Sequence, residues 1–295
     1  MQVTMDRASE IQDKRDIIIA PASITCFFTP FKSKNALESG SFGVGIALKN
    51  GSTALCRNSP NISISFEGCN RVITVFKALE IIKERKIEVK NCKVLLKPNY
   101  PVGSGFGMSA SLTLSTLKAL RVPSKIIPDL AHEAEVLSST GLGDVVTQTY
   151  GGIVCRLNAS CPSKAIVKKF NFLKTLDIIS FGELDTKEML EEYNFSTGLK
   201  HLKEFLKKPT LEELFKHSKQ FTLESGVADD KIIDVIEAVE SKGGMASMVM
   251  LGKAVFAVNG FEAMKEFGEP KKVEVDFNGF IVPFYNTIKN TNSIF

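Results

Sequence analysis

The segment PNYPVGSGFGMSASLTLSTLKAL, residues 98–120, leads from a proline-bounded strand end through three alternating glycines into a helix. Gly103, Gly105 and Gly107 permit backbone conformations and close approaches denied to residues with a Cβ, so successive amide hydrogens can point into one concavity. Ala110, Leu114 and Leu117 stand at i, i+4 and i+7, the spacing of a helix whose positive N-terminal end faces the same spot. The guest that suits this pattern is a phosphate, held along Gly103, Ser104, Gly105, Phe106, Gly107, Met108, Ser109 and Ala110. Ser109 adds a hydroxyl for a phosphate oxygen or for its magnesium ion. The loop reads G-x-G-x-G, and no Gly-Lys in the chain is followed by Ser or Thr, so neither the Rossmann fingerprint nor the Walker pattern applies.

The loop pattern reaches phosphate binding and no further; were the bound phosphate to be transferred, little covalent chemistry would be asked of the protein. Transfer needs a phosphate cradle, a carboxylate for magnesium, and a group that orients or deprotonates the acceptor hydroxyl. Residues 129–152 can supply the acids. Leu130, Ala134 and Leu137 mark the buried stripe of a helix starting near Pro128-Asp129, with Glu133 and Glu135 on its flanks. Periodicity alone does not choose between these two glutamates. Asp144 follows Gly141-Leu142-Gly143, glycines that let the backbone carry a carboxylate deep into a cleft, or leave it capping the next helical turn. His132, His201 and His217 lack ligand-like spacing and read as helix-surface residues.

The elements that must position these groups are mixed. Residues 17–20 (IIIA) read as a buried strand ended by Pro21. Two short apolar runs, 44–48 and 53–56, flank Asn50-Gly51, which predicts a β-hairpin. Residues 61–66 alternate as a further strand, 72–82 follow helical spacing, and 94–96, 153–157 and 165–170 read as strands. Strict βαβ alternation is missing. The polar NASCPS segment suits a domain junction, dividing the chain into residues 1–160 and 161–295. Thr210-Leu211-Glu212-Glu213 has the reciprocal capping arrangement of a helix start, and Ile232, Val235, Ile236 and Val239 mark another amphipathic helix. The class is α+β, with two lobes.

Composition narrows the function classes. The 295 residues are 44% apolar and 24% charged, which excludes disorder as the main state. A formal charge of +4 is too small for a dedicated nucleic-acid binder. The first sixteen residues carry charges throughout and lack the apolar core of a signal peptide, and the longest apolar stretch, 245–258, is broken by Gly252 and Lys253. No membrane association and a cytosolic location are therefore expected. Six cysteines without a C-x-x-C pair read as buried free thiols.

Pro101 followed by Gly105-Phe106-Gly107-Met108-Ser109-Ala110 resembles the second motif of the GHMP kinases, usually P-x-x-x-G-L-G-S-S-A. Phe106 and Met108 depart from it, and Met108 removes one side-chain donor, so backbone amides must carry more of the phosphate contact. Residues 20–25 (APASIT) stand where the family's first motif places a substrate-facing strand end, and 244–252 (GMASMVMLG) where its third places a loop against the phosphates. Met248, Val249 and Met250 read more as a buried strand. Within the superfamily, PASITCFFTP, SGSFGVGI, SGFGMSAS, AHEAEVLSSTGLGDVVTQTYGG and MLGKAVFAV are most similar to the archaeal pantoate kinases.

That resemblance implies a ribosomal-protein-like N-terminal domain, a ferredoxin-like C-terminal domain, ATP and Mg2+ as cofactors, pantoate as the small-molecule acceptor, and a homodimer. It favours Glu135 beside Ser109 as the metal residues, with Glu133 still open, and gives Asp144 the role of base or acceptor-positioning group. The family's basic first-motif residue is replaced by Ser23, so whatever tunes Asp144 must come from elsewhere. For a hydroxy-carboxylate acceptor, the candidates are Ser23, Thr25, Ser39, Gly40 and Ser41, with Arg156 as partner of the carboxylate. The alternatives are a GHMP kinase of homoserine, mevalonate or shikimate, and a non-catalytic sensor on the same fold.

Overall fold

The computed structural model describes residues 16–184 and 186–280; the polar N-terminal stretch before Asp16 and the segment after Phe280 lie outside them. Two long strands, β1 (Asp16–Phe31) and β2 (Gly40–Asn58), pair antiparallel along nearly their whole length. Pro21 does not end the first strand. The register shifts between Ala20 and Ala22, so a bulge absorbs the missing amide hydrogen. The expected hairpin at Asn50-Gly51 is likewise a kink within one strand, because both of its arms pair with β1 instead of with each other. Asn50 takes φ 54, and a Cβ on Gly51 would lie 2.2 Å from the Ala22 nitrogen. The permissive dipeptide here bends a strand without reversing it.

Next come β3 (Ser63–Phe66), α1 (Ile73–Glu84) and β4 (Cys92–Pro98), a single βαβ unit in which β3 and β4 run parallel. The helices α2 (Met108–Ala119), α3 (Ile127–Ser138) and α4 (Asp144–Tyr150) follow. Then β5 (Ile153–Arg156) and β6 (Val167–Phe170) complete a sheet of order β3-β4-β2-β5-β6, with β1 on β2. The junction expected near residue 160 falls inside the β5–β6 connection, and the chain leaves the first sheet only after Phe170.

The second lobe holds β7 (Thr175–Gly182), α5 (Thr186–Glu192), α6 (Gly198–Lys207), α7 (Leu211–Ser225) and α8 (Asp230–Ser241). It ends with β8 (Met245–Met248), β9 (Lys253–Val258), α9 (Phe261–Met264) and β10 (Lys271–Glu274). Its antiparallel order β10-β7-β9-β8 is that of a ferredoxin-like sheet, in keeping with the expected two-lobed α+β class.

Helix α2 runs through the core and buries every residue except Ser109 and Lys118. A helix enclosed on all sides has no polar face, so its hydroxyls need partners inside. Ser111 Oγ bonds the Ala20 carbonyl and Ser52 Oγ, and Thr113 Oγ1 bonds the Ser109 carbonyl and Thr74 Oγ1. On α3 the buried face takes in Ala131, Ala134 and Glu135, so Glu135 turns inward while Leu137, expected inside, is 53% exposed.

All three histidines are buried, contrary to the surface positions expected for them, because each has a polar partner within the fold. His132 Nε2 meets the Ser39 carbonyl at 2.9 Å, and His201 and His217 face each other Nδ1 to Nδ1 at 3.1 Å. Thr210 caps α7 by accepting from the Glu213 amide, while the Glu213 carboxylate reaches Lys216 instead of completing the box. Five cysteines are buried free thiols, and Cys69 is partly exposed.

Candidate active site

Among the described residues β1 pairs only with β2, so its other edge carries backbone groups in need of partners. Two loops take them. The Ser23 amide donates to the Phe106 carbonyl at 3.1 Å, and the Met250 amide donates to the Thr25 carbonyl at 3.0 Å. The glycine-rich loop and the turn after β8 are thereby docked side by side. A Cβ on Gly105 would stand 2.7 Å from Val249 Cγ1, and one on Gly252 would stand 2.1 Å from the Ser104 carbonyl carbon. The 244–252 segment therefore does lie against the loop, with backbone meeting backbone where side chains are absent.

Gly103 and Gly105 both adopt φ +83, and Gly107 adopts φ +60, values in the left-handed region that favours glycine. No side chain caps α2 at Gly107, so its first-turn amides remain available at the mouth of the hollow. That hollow has a volume of about 720 Å³. Gly103, Gly105, Phe106, Gly107, Met108 and Ser109 line it, together with residues 68–73 at the equally uncapped start of α1. Ser104 and Ala110, expected to share the contact, do not line it; Ala110 belongs to the core, and Ser104 is buried with an unpartnered hydroxyl.

Glu133 pairs with Arg85 at 2.6 Å. Glu135 is 1% exposed, and neither of its carboxylate oxygens closes a hydrogen bond. Burial and then the Asp144 charge push its pKa up to about 8, against the lowering influence of the nearby Ser109, Thr140 and Thr74 hydroxyls. Both acids flank Gly141, where a Cβ would lie 2.3 Å from Glu135 Oε2 and 3.4 Å from Asp144 Oδ2. Unsatisfied buried carboxylate oxygens beside a hydroxyl form a donor set that suits a hard, oxygen-seeking cation.

Asp144 opens α4 without capping it, and its Oδ1 accepts from Ser23 Oγ at 2.9 Å. Burial raises its pKa, opposed by the Ser23 hydrogen bond and the Arg156 charge. The influences on Asp144 thus come from a hydroxyl on β1 and a guanidinium on β5. Arg156 sits on an interior strand, paired with β2 on one side and β6 on the other, and is 1% exposed. Its Nε donates to the Ser41 carbonyl and its Nη1 to Thr147 Oγ1, while Nη2 has no partner. Gly143 makes room for it, since a Cβ there would be 2.7 Å from the guanidinium carbon. Burial lowers the Arg156 pKa and Asp144 resists the fall.

Around Arg156 lies a narrow recess bounded by Thr25, Phe28, Ser41, residues 141–144, Leu190 and Leu251. Thr25, Asp144 and Leu251 border the large hollow as well, so the two spaces meet at the carboxylate. Ser23, Ser39 and Gly40 stay outside both. The Ser39 hydroxyl is engaged with Ser33 and Asn35, and Gly40 is packed against Ser160. Leu190, Leu251 and Gln148 were missed in the sequence. Only Gln148 carries a signal, standing four residues after Asp144 on one helix.

Comparison with known proteins places this geometry. The GHMP kinases N terminal domain matches residues 71–152. Over 265 residues the chain is 31% identical to pantoate kinase of Methanocaldococcus jannaschii, covering 84% of this chain and 94% of that protein. The chain belongs to the pantoate kinase family of GHMP kinases. A second pantoate kinase, from Thermococcus kodakarensis, is 30% identical over 259 residues, covering 81% of this chain and 85% of its own. The solved structure of a phosphotransferase related to the CoA biosynthesis pathway superposes with a TM-score of 0.79 at 25% identity, over 90% of this chain and 97% of that one. The domain match contains the glycine-rich loop, Glu135 and Asp144, while Ser23, Ser41 and Arg156 lie outside it; likeness to the pantoate kinases extends over most of the chain.

Among the described residues no helix is long and apolar enough to cross a membrane, and no cluster of three or more histidine, cysteine or acidic side chains gathers as a metal site. A magnesium ion shared between protein and phosphate needs no such cluster.

Proposed function

We propose that this chain transfers the γ-phosphoryl group of ATP to the primary hydroxyl of pantoate, giving 4-phosphopantoate for coenzyme A synthesis. The observation that carries the reading is the buried Arg156 with an unpartnered Nη2, in a recess that shares Asp144 with the phosphate hollow. A buried arginine with a free donor suits a carboxylate-bearing ligand. Phe28, Leu190 and Leu251 line that recess, which at about 10 Å³ admits the tip of a carboxylate and leaves the rest of the acceptor at the shared mouth.

In this reading the triphosphate lies along residues 103–109, held by loop amides and the positive end of α2. Ser109 and Glu135 would hold Mg2+, which when bound neutralises charge on the phosphate oxygens. Glu135 has to give up its proton to serve there. The acceptor enters with its carboxylate toward Arg156, leaving its hydroxyl at the shared mouth beside Asp144. Because Asp144 Oδ1 is engaged by Ser23, the hydroxyl proton passes to Oδ2 as the oxygen bonds to phosphorus and ADP departs. A loose transition state needs this transfer only late.

A homodimer and a cytosolic location belong to the same reading, the first checked by light scattering and the second by cell fractionation. The central test is a coupled ADP-release assay with pantoate, pantothenate, homoserine, mevalonate and shikimate. Turnover with pantoate is expected. ADP formation with homoserine and none with pantoate overturns the acceptor, and nucleotide binding without turnover on any acceptor favours the sensor.

A further inference from the structure

Gln148 is fully buried on α4, and both of its polar atoms face the protein interior. Its Nε2 lies 2.7 Å from the Gly107 carbonyl oxygen and 3.0 Å from Ser23 Oγ. A backbone carbonyl can only accept, so the atom beside Gly107 has to be the nitrogen, and the amide has one workable orientation. Both amide hydrogens are then spent, one on the loop and one on the serine. Oε1 is left buried with no partner, an arrangement that packing alone would replace with an apolar side chain.

The consequence falls on Ser23. Its oxygen accepts from Gln148, so its single hydrogen is directed to Asp144 Oδ1 at 2.9 Å. Oδ1 is thereby filled and Oδ2 is the oxygen left for the acceptor. Gly107 provides the space for this convergence, since a Cβ there would lie 2.4 Å from Ser23 Oγ, 2.6 Å from Gln148 Nε2 and 3.1 Å from Asp144 Cγ.

We infer that Gln148 is a positioning residue for phosphoryl transfer: anchored on the phosphate loop at Gly107, it orients the Ser23 hydroxyl and through it the Asp144 carboxylate. The inference rests on the kinase reading above. It assigns Gln148 no contact with either substrate, so its effect belongs in kcat and not in KM.

The test is a double-mutant cycle of Gln148→Leu and Ser23→Ala, measured by ADP release with ATP and pantoate each varied up to saturation. In the wild-type background, Gln148→Leu lowers kcat by about 10- to 100-fold while both KM values stay within about 3-fold. In the Ser23→Ala background, the same change costs less than about 3-fold, because the link it acts through has already been removed. Equal losses in both backgrounds would overturn the inference and leave Gln148 a packing residue; so would an unchanged kcat in the single variant. Should Gln148→Leu not fold, as judged by thermal unfolding, Gln148→Met completes the cycle with a side chain of nearer shape. An inactive wild type sinks the kinase reading and this inference with it, whereas an active wild type with additive losses sinks the inference alone.

Discussion

The hollow under α2 and the recess around Arg156 meet at Asp144 yet are built in opposite ways. The hollow draws mainly on two continuous stretches, residues 68–73 and 101–109, and the second owes its path to glycines at 103, 105 and 107. The recess is assembled from residues on β1, β2, α4, β5 and α5 and on two separate turns. A backbone-built site tolerates changed side chains but not an added Cβ in the wrong place. A side-chain-built site has the reverse tolerance, which is how one phosphate cradle can serve many acceptors.

The sharpest way to break this contrast is a pair of changes on neighbouring residues. Gly107→Ala should cost at least about 1000-fold in kcat/KM, since the new Cβ enters the meeting point of Ser23, Gln148 and Asp144 at φ +60. Met108→Ser, by contrast, should change kcat/KM by less than about 3-fold, because the helix amides are untouched. Steady-state kinetics on both variants decides whether backbone or side chain governs the cradle. Asp144→Ala follows, with a loss in kcat of about 100- to 10,000-fold and little change in the KM for ATP.

On the acceptor side, Arg156→Met should raise the KM for pantoate about 30- to 100-fold, the worth of a buried charge-assisted hydrogen bond, with the KM for ATP nearly constant. An unchanged pantoate KM would move the carboxylate site elsewhere. The smallest effect concerns stability. Because the folded Glu135 pKa is pushed up to about 8 from an ordinary 4.5, the folded protein retains a proton that the unfolded chain has lost between those values. Metal-free stability therefore falls as pH rises through that window. Thermal unfolding in chelator from pH 5 to 8.5 should show the fall, and Glu135→Gln should flatten it, raising Tm by a few degrees at the alkaline end while lowering magnesium-dependent turnover.

The same division explains what the sequence made legible. The loop, the helix after it and Ser109 could be read because their meaning lies in local spacing. Asp144 could be read as far as its glycine-flanked position, but its partners Ser23 and Arg156 are supplied by distant strands. Glu135 and Glu133 differ by where α3 turns its buried face, which depends on neighbours that periodicity does not contain. The Asn50-Gly51 signal was local too, and it misled because a bulge and a reversal ask for the same backbone freedom. Arg156 and the histidines went inside against their usual preference because polar partners on other elements accommodate them.

The open start of α2 has a further consequence. Thr210 and Asp229 close the ends of α7 and α8 from within the chain, whereas α2 reaches its hollow with no such closure. On the kinase reading, the incoming triphosphate supplies what the polypeptide omits, and a substrate becomes a component of secondary structure. Such an enzyme would be tougher when fed than when starved, resisting heat and proteases in proportion to the nucleotide around it.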